Sequence, residues 1–150
     1  MSDGSPRPGK PGSASLAAMY QEALLAHHRA PHNRHEMEDA TGSATHKSPV
    51  CGDDIRVFVR VANDLIEDVS FVGRGCSVST ASASMMTDTV RGLSKVQVRS
   101  VFDSIEKMLA SGNIEQELPE TLHPIRSVAA FQVRHECVRM PWLALNDAIG

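Results

Sequence analysis

Aromatic side chains are scarce in this 150-residue chain: four Phe, one Tyr and one Trp, 4% of the residues. Proteins that hold single-stranded nucleic acid stack its bases on such rings, so that class is disfavoured from the start. An excess of positive charge is missing too. Fifteen Lys and Arg face eighteen Asp and Glu, a formal net charge of −3, which leaves no electrostatic footprint for nucleic acid or an anionic membrane surface. No apolar run approaches the length of about 18 residues needed to span a bilayer, and the N-terminal residues lack the apolar segment of a secretory signal. The expectation is a cytoplasmic protein with neither a membrane nor a nucleic-acid partner. Cysteine is sparse as well: three residues, an odd number, which in a reducing compartment argues against a disulfide framework. Metal binding, thiol chemistry or plain burial remain.

What is present is ordinary for one globular domain, with 41% hydrophobic and 22% charged residues. Residues 1–14, rich in Pro and Gly, cannot pack and are expected to form a flexible tail, ahead of a single domain over 15–150. A helix is predicted from about Ser15, its cap, to Arg29, with Leu16, Met19, Tyr20, Ala23, Leu24 and His27 on one face. Pro31 ends it. A loop rich in His follows, with a short strand near Thr41–His46. Ile55, Val57, Val59 and Val61 alternate with Arg56, Phe58 and Arg60, which reads as a strand. Asn63-Asp64 is a turn signal, and Val69 and Phe71 continue a second strand, so 55–72 is an antiparallel hairpin. Helices are then predicted over Ser77–Val90, from a capping box at Ser94–Gln97 up to Gly112, briefly over 125–132, and from about Glu136 to Ala148. This order gives an α+β fold: a small three-stranded antiparallel sheet with helices packed on one face.

The chemistry gathers around Gly73-Arg74-Gly75-Cys76, where the second strand turns into a helix. The glycines are expected to supply unusual backbone angles, and a thiol at a helix N-terminus is favoured as thiolate. The hairpin places Cys51 and Asp53, at the mouth of its first strand, on the same sheet edge as Cys76. Cys137, at the start of the last helix, would complete a set of three sulfurs and one oxygen suited to Zn²⁺. Such a set is strongly negative and wants Arg74 or Arg134 nearby. Three inert, buried thiols are the competing reading. His27 and His28 suit a helix C-terminus without further function, and His135 is assigned to surface or partner contact ahead of metal ligation. Ser77, Ser79, Ser82 and Ser84 lack the Gly-x-Ser-x-Gly setting of a hydrolase and are read as allowing close helix packing.

Pro49-Val50-Cys51-Gly52-Asp53, the stretch Gly73–Met86, Arg134-His135-Glu136-Cys137 with Trp142, and Tyr20, His27, Pro31 and Asn33 together resemble the SufU family, zinc-containing IscU-like proteins of iron–sulfur cluster biogenesis. The resemblance covers about residues 16–149. Within that superfamily, Glu136 stands where the IscU branch has a histidine. The 61 positions from Cys76 to Cys137 imply an insertion of roughly residues 91–115. Both features lie nearer the SufU branch.

The resemblance implies Zn²⁺ held by Cys51, Asp53, Cys76 and Cys137, and a sulfurtransferase role. Cys51, released from the metal when a SufS-type, pyridoxal-phosphate cysteine desulfurase docks, would accept persulfide sulfur and carry it to a downstream iron–sulfur scaffold. Arg134 would support the persulfide or the partner. The alternative is that the chain is itself a scaffold holding a transient Fe–S cluster. Ala26 and His32 depart from the family pattern at positions read as touching partner docking. Pro141 is expected to kink the last helix.

Overall fold

A computed structural model describes residues 13–48 and 52–150. Helix α1 spans Ser13–Arg29. It begins two residues ahead of the predicted cap, so Ser15 lies inside the helix; residues 1–12, the rest of the expected tail, lie outside the described residues. Three strands follow, β1 (Gly42–Lys47), β2 (Asp54–Ala62) and β3 (Leu65–Arg74), all antiparallel and in the order β1-β2-β3. The β2–β3 turn places both Asn63 and Asp64 at positive φ, 54° and 62°, the conformation in which a two-residue loop matches strand twist.

One detail of the hairpin escapes the periodicity. Ile66 and Val69 are both fully buried although their spacing would put them on opposite faces. A register shift at Arg60/Val61 resolves this: Val61 pairs with Ile66 while Arg60 pairs with Asp68, leaving Glu67 as the extra residue of a bulge. The inner row therefore reads Ile55, Val57, Val59 and Val61 against Gly73, Phe71, Val69 and Ile66. The same shift sets Asp54 opposite Arg74, one position further on than a regular ladder from the turn would give.

The helices cover this inner row. Helix α2 (Ser77–Val90) follows the Gly-Cys turn, and α3 (Lys95–Ser111) opens with the expected capping box and closes on left-handed Gly112. Most of the segment read as an insertion is therefore α3. The stretch expected as one short helix at 125–132 is instead a 3-10 segment, Glu120–Val128, with Pro124 inside it, and a further turn, Gln132–Arg134. Helix α4 runs unbroken over His135–Ile149 with Pro141 inside it, so the helix continues through the residue expected to kink it. It lies across β1 and β2, close enough that any Cβ on Gly42 would strike the carbonyl of Ala148. Trp142, fully buried, stacks on Phe102 of α3 with ring centroids 6.3 Å apart.

The serines of α2 do more than make room. Ser82 Oγ donates to the carbonyl of Val138 in α4 at 2.8 Å, and Ser84 Oγ accepts the backbone N–H of His32 at 2.8 Å. Small size permits the close approach, and the hydroxyls then satisfy backbone groups that the approach buries. No helix of the described residues is long and apolar enough to cross a membrane.

Candidate metal centre

The β1–β2 connection is stapled at its base. Ser48 N–H donates to the carbonyl of Asp53 and Gly52 N–H to that of Ser48, at 2.8 and 2.9 Å. Gly52 takes φ of 70°, a left-handed angle that a side chain resists. This base holds Asp53 inward with 4% exposure. Each of its carboxylate oxygens accepts one hydrogen bond: Oδ1 from the backbone N–H of Cys76 at 3.0 Å and Oδ2 from the hydroxyl of Ser79 at 2.8 Å.

Cys76 is the N-cap of α2, and its Sγ accepts the amide of Ser79 at 3.5 Å. Cys137 lies in the first turn of α4, 1% exposed. Two helix N-termini therefore converge on one point, each offering a thiol where the peptide dipoles favour negative charge. One ligand atom each from Asp53, Cys76 and Cys137 lie within 4.8 Å of one another. Among the described residues Asp53 has no ion pair. A buried carboxylate beside two thiols needs a positive counter-charge. A donor set of two sulfurs and a carboxylate oxygen is of the kind Zn²⁺ takes, with room for a fourth ligand.

Of the residues singled out in the sequence, the structure gathers Asp53, Cys76 and Cys137. Cys51 lies outside the described residues. Arg134 is exposed just ahead of α4, and Arg74 is exposed at the end of β3. His135 departs from the expected surface position: it is buried, with Nε2 donating to the carbonyl of Ala129 at 2.8 Å, and it is not grouped with Asp53, Cys76 and Cys137. Ser79, read from the sequence only as allowing close helix packing, instead joins this site as a donor to Asp53. Its position three after an N-cap, where side chains reach back over the helix start, was the available signal.

Gly75 is a glycine for a reason other than the one expected. Its φ is not positive; instead a Cβ there would collide with Ser79 Oγ and press on Ile55. Gly75→Ala is expected to push the Ser79 hydroxyl off Asp53 and to destabilise the fold by about 1–3 kcal/mol. A denaturant titration reads this, and an unchanged midpoint would show that the turn has room to spare.

Comparisons with known proteins converge on one family. Residues 19–148 match the family described as the NifU-like N terminal domain. The chain is 36% identical over 138 residues to the iron–sulfur cluster assembly scaffold protein IscU of Streptococcus pyogenes, covering 91% of this chain and 86% of that one. It is 28% identical over 139 residues to the zinc-dependent sulfurtransferase SufU of Bacillus subtilis, covering 92% and 94%. Among solved structures, an iron–sulfur cluster assembly scaffold protein of the SUF system from Fervidobacterium islandicum superposes with a TM-score of 0.76 at 26% identity, over 93% of this chain and all of that one. The chain thus belongs to the NifU-like N-terminal domain family, among the IscU- and SufU-like proteins of iron–sulfur cluster assembly.

Proposed function

We propose that the chain is a zinc-dependent sulfur acceptor, taking persulfide sulfur from a cysteine desulfurase onto Cys51 and passing it to an iron–sulfur scaffold. The observation that carries this reading is the convergence of Asp53, Cys76 and Cys137 in one buried corner, two positions along the chain from Cys51. Zn²⁺ held by these residues and Cys51 would keep the thiols deprotonated at neutral pH and unreactive until a partner arrives.

The transfer needs no outside oxidant or reductant. The Cys51 thiolate attacks the outer sulfur of the partner's persulfide, the partner's S–S bond breaks, and the partner cysteine leaves as thiolate. A persulfide on Cys51 results, with one S–S bond made for one broken. Asp53 holds the start of α2 in place through the Cys76 amide and Ser79 hydroxyl, so the Cys76 thiol stays fixed while Cys51 reacts. Arg134, exposed three positions before Cys137, offers a positive charge toward the docked partner or the persulfide anion.

A second reading has its own support. The Streptococcus relative named as a scaffold is more similar, at 36% identity, than the Bacillus sulfurtransferase at 28%. The same thiols could hold iron of an assembling cluster. Incubation with a pyridoxal-phosphate cysteine desulfurase and cysteine, followed by persulfide-selective labelling and mass mapping, tests the first reading. Label on Cys51 is the expected result; its absence would overturn sulfur acceptance. Anaerobic reconstitution with iron and sulfide tests the second, since a stable, transferable visible chromophore would favour the scaffold.

A further inference from the structure

A second group of metal-capable side chains lies well away from this corner. His27 is on the last turn of α1, His32 follows Pro31 in the loop beyond it, and Asp88 is near the end of α2. Asp88 is twelve positions along α2 from Cys76, about 18 Å at 1.5 Å per residue. One ligand atom from each of the three residues falls within 4.8 Å of the others. The two imidazole rings are 4.7 Å apart between centroids, and His32 Nδ1 is 2.6 Å from Asp88 Oδ2.

The cluster is held from behind. Ser84 Oγ lies 2.7 Å from His27 Nδ1 and also accepts the His32 backbone N–H. With Nδ1 occupied by a hydroxyl, His27 has Nε2 left for a metal, the division of labour found in ligating histidines. The loop bearing His32 is pinned independently. Asn33, at φ of 58°, donates from Nδ2 to Thr87 Oγ1 at 2.9 Å, and its carbonyl accepts the N–H of Phe71 at 3.1 Å. The three side chains thus stand on two helices and a fixed loop, so little ordering is needed on binding.

We propose that His27, His32 and Asp88 form a second metal site, for a divalent first-row transition ion. Two imidazoles and one carboxylate suit Zn²⁺ and its neighbours rather than Ca²⁺ or Mg²⁺, which take oxygen ligands. The His32 side chain is 54% exposed and that of Asp88 28%, so the ion would keep open positions for water. The site does not depend on how sulfur is handled at the other end of α2.

Zn²⁺ alone is the probe. The chelator-stripped full chain is dialysed against micromolar free Zn²⁺ and its bound metal measured. The intact chain is expected to take up two ions, one per cluster, and His32→Gln or Asp88→Asn one. Cys76→Ser is expected to keep the ion bound at the histidines. Substitution with Co²⁺ separates the clusters by spectrum, because only the thiol site gives intense sulfur-to-metal absorption. His27→Ala removes a half-buried ring that Ser84 contacts, so the exposed His32 carries the test, with circular dichroism as the check on folding. Failure of folded Cys76→Ser to hold any ion, or uptake of two ions by folded His32→Gln, would overturn the proposal; the latter would leave His32 and Asp88 as a plain hydrogen-bonded pair.

Discussion

Asp53→Asn is expected to remove the part of any Zn²⁺-dependent rise in unfolding temperature that comes from the thiol site, while leaving the metal-free chain at least as stable as before. Two terms of opposite sign decide this. In the metal-free parent, Asp53 has 4% exposure, accepts two hydrogen bonds and has no ion pair among the described residues, and a buried charge without a counter-ion costs several kcal/mol. The amide removes that cost. It keeps one oxygen to accept from the Cys76 N–H or the Ser79 hydroxyl, but sets an NH₂ group against the other donor, a loss of about 1–3 kcal/mol. The charge term is the larger.

With zinc present the sign reverses. A metal that binds only the folded chain stabilises it by about 4 kcal/mol at a thousand times its dissociation constant, and the amide forfeits a charged ligand. Asp53→Ala is expected to lose the ion at the thiol site too, and to be the less stable of the two variants because both donors then lack their acceptor. Thermal unfolding with and without chelator, alongside metal analysis, reads all of this. A variant that binds as much zinc as the parent and keeps the parent's full zinc-dependent shift would remove Asp53 from the ligand set.

Cys51→Ser is expected to lower desulfurase turnover with this acceptor by roughly two orders of magnitude or more, because a serine hydroxyl is not ionised at neutral pH and cannot attack a persulfide. The informative comparison is with Cys76→Ser. If Cys51 is the acceptor, the Cys76 variant still takes label on Cys51 even as its metal content falls, whereas the Cys51 variant takes none anywhere. Loss of label from both to the same degree would mean that the thiols act only as metal ligands. Full turnover with Cys51→Ser would place the acceptor elsewhere.

Much of the local structure was legible because its causes are local. Helix α2 runs over the residues expected of it, Ser77–Val90, and α3 starts at a capping box and stops at Gly112. Asn63 and Asp64 turn the hairpin as two residues tolerant of positive φ should. Each signal lies within a few residues of the feature it sets. The bulge that buries both Ile66 and Val69 was missed, because strict alternation cannot show where a ladder slips by one residue. The 3-10 course of Glu120–Val128 was missed for a similar reason: Pro124 and the packing of the segment, rather than a helical stripe, shape it.

The amino-acid order by itself determined which side chains could bind a metal, the helix-start position of Cys76, and the three-stranded frame that carries Asp53. Only the tertiary structure decided what they meet. Cys137 stands 61 positions beyond Cys76, and nothing local to either thiol sets the distance between them; the packing of α4 over β1 and β2 does. The same holds for Ser79 against Asp53, for His135 against Ala129, and for the grouping of His27 and His32 with Asp88. Such contacts arise from burying apolar faces across the whole chain, a global constraint that no short stretch of sequence records.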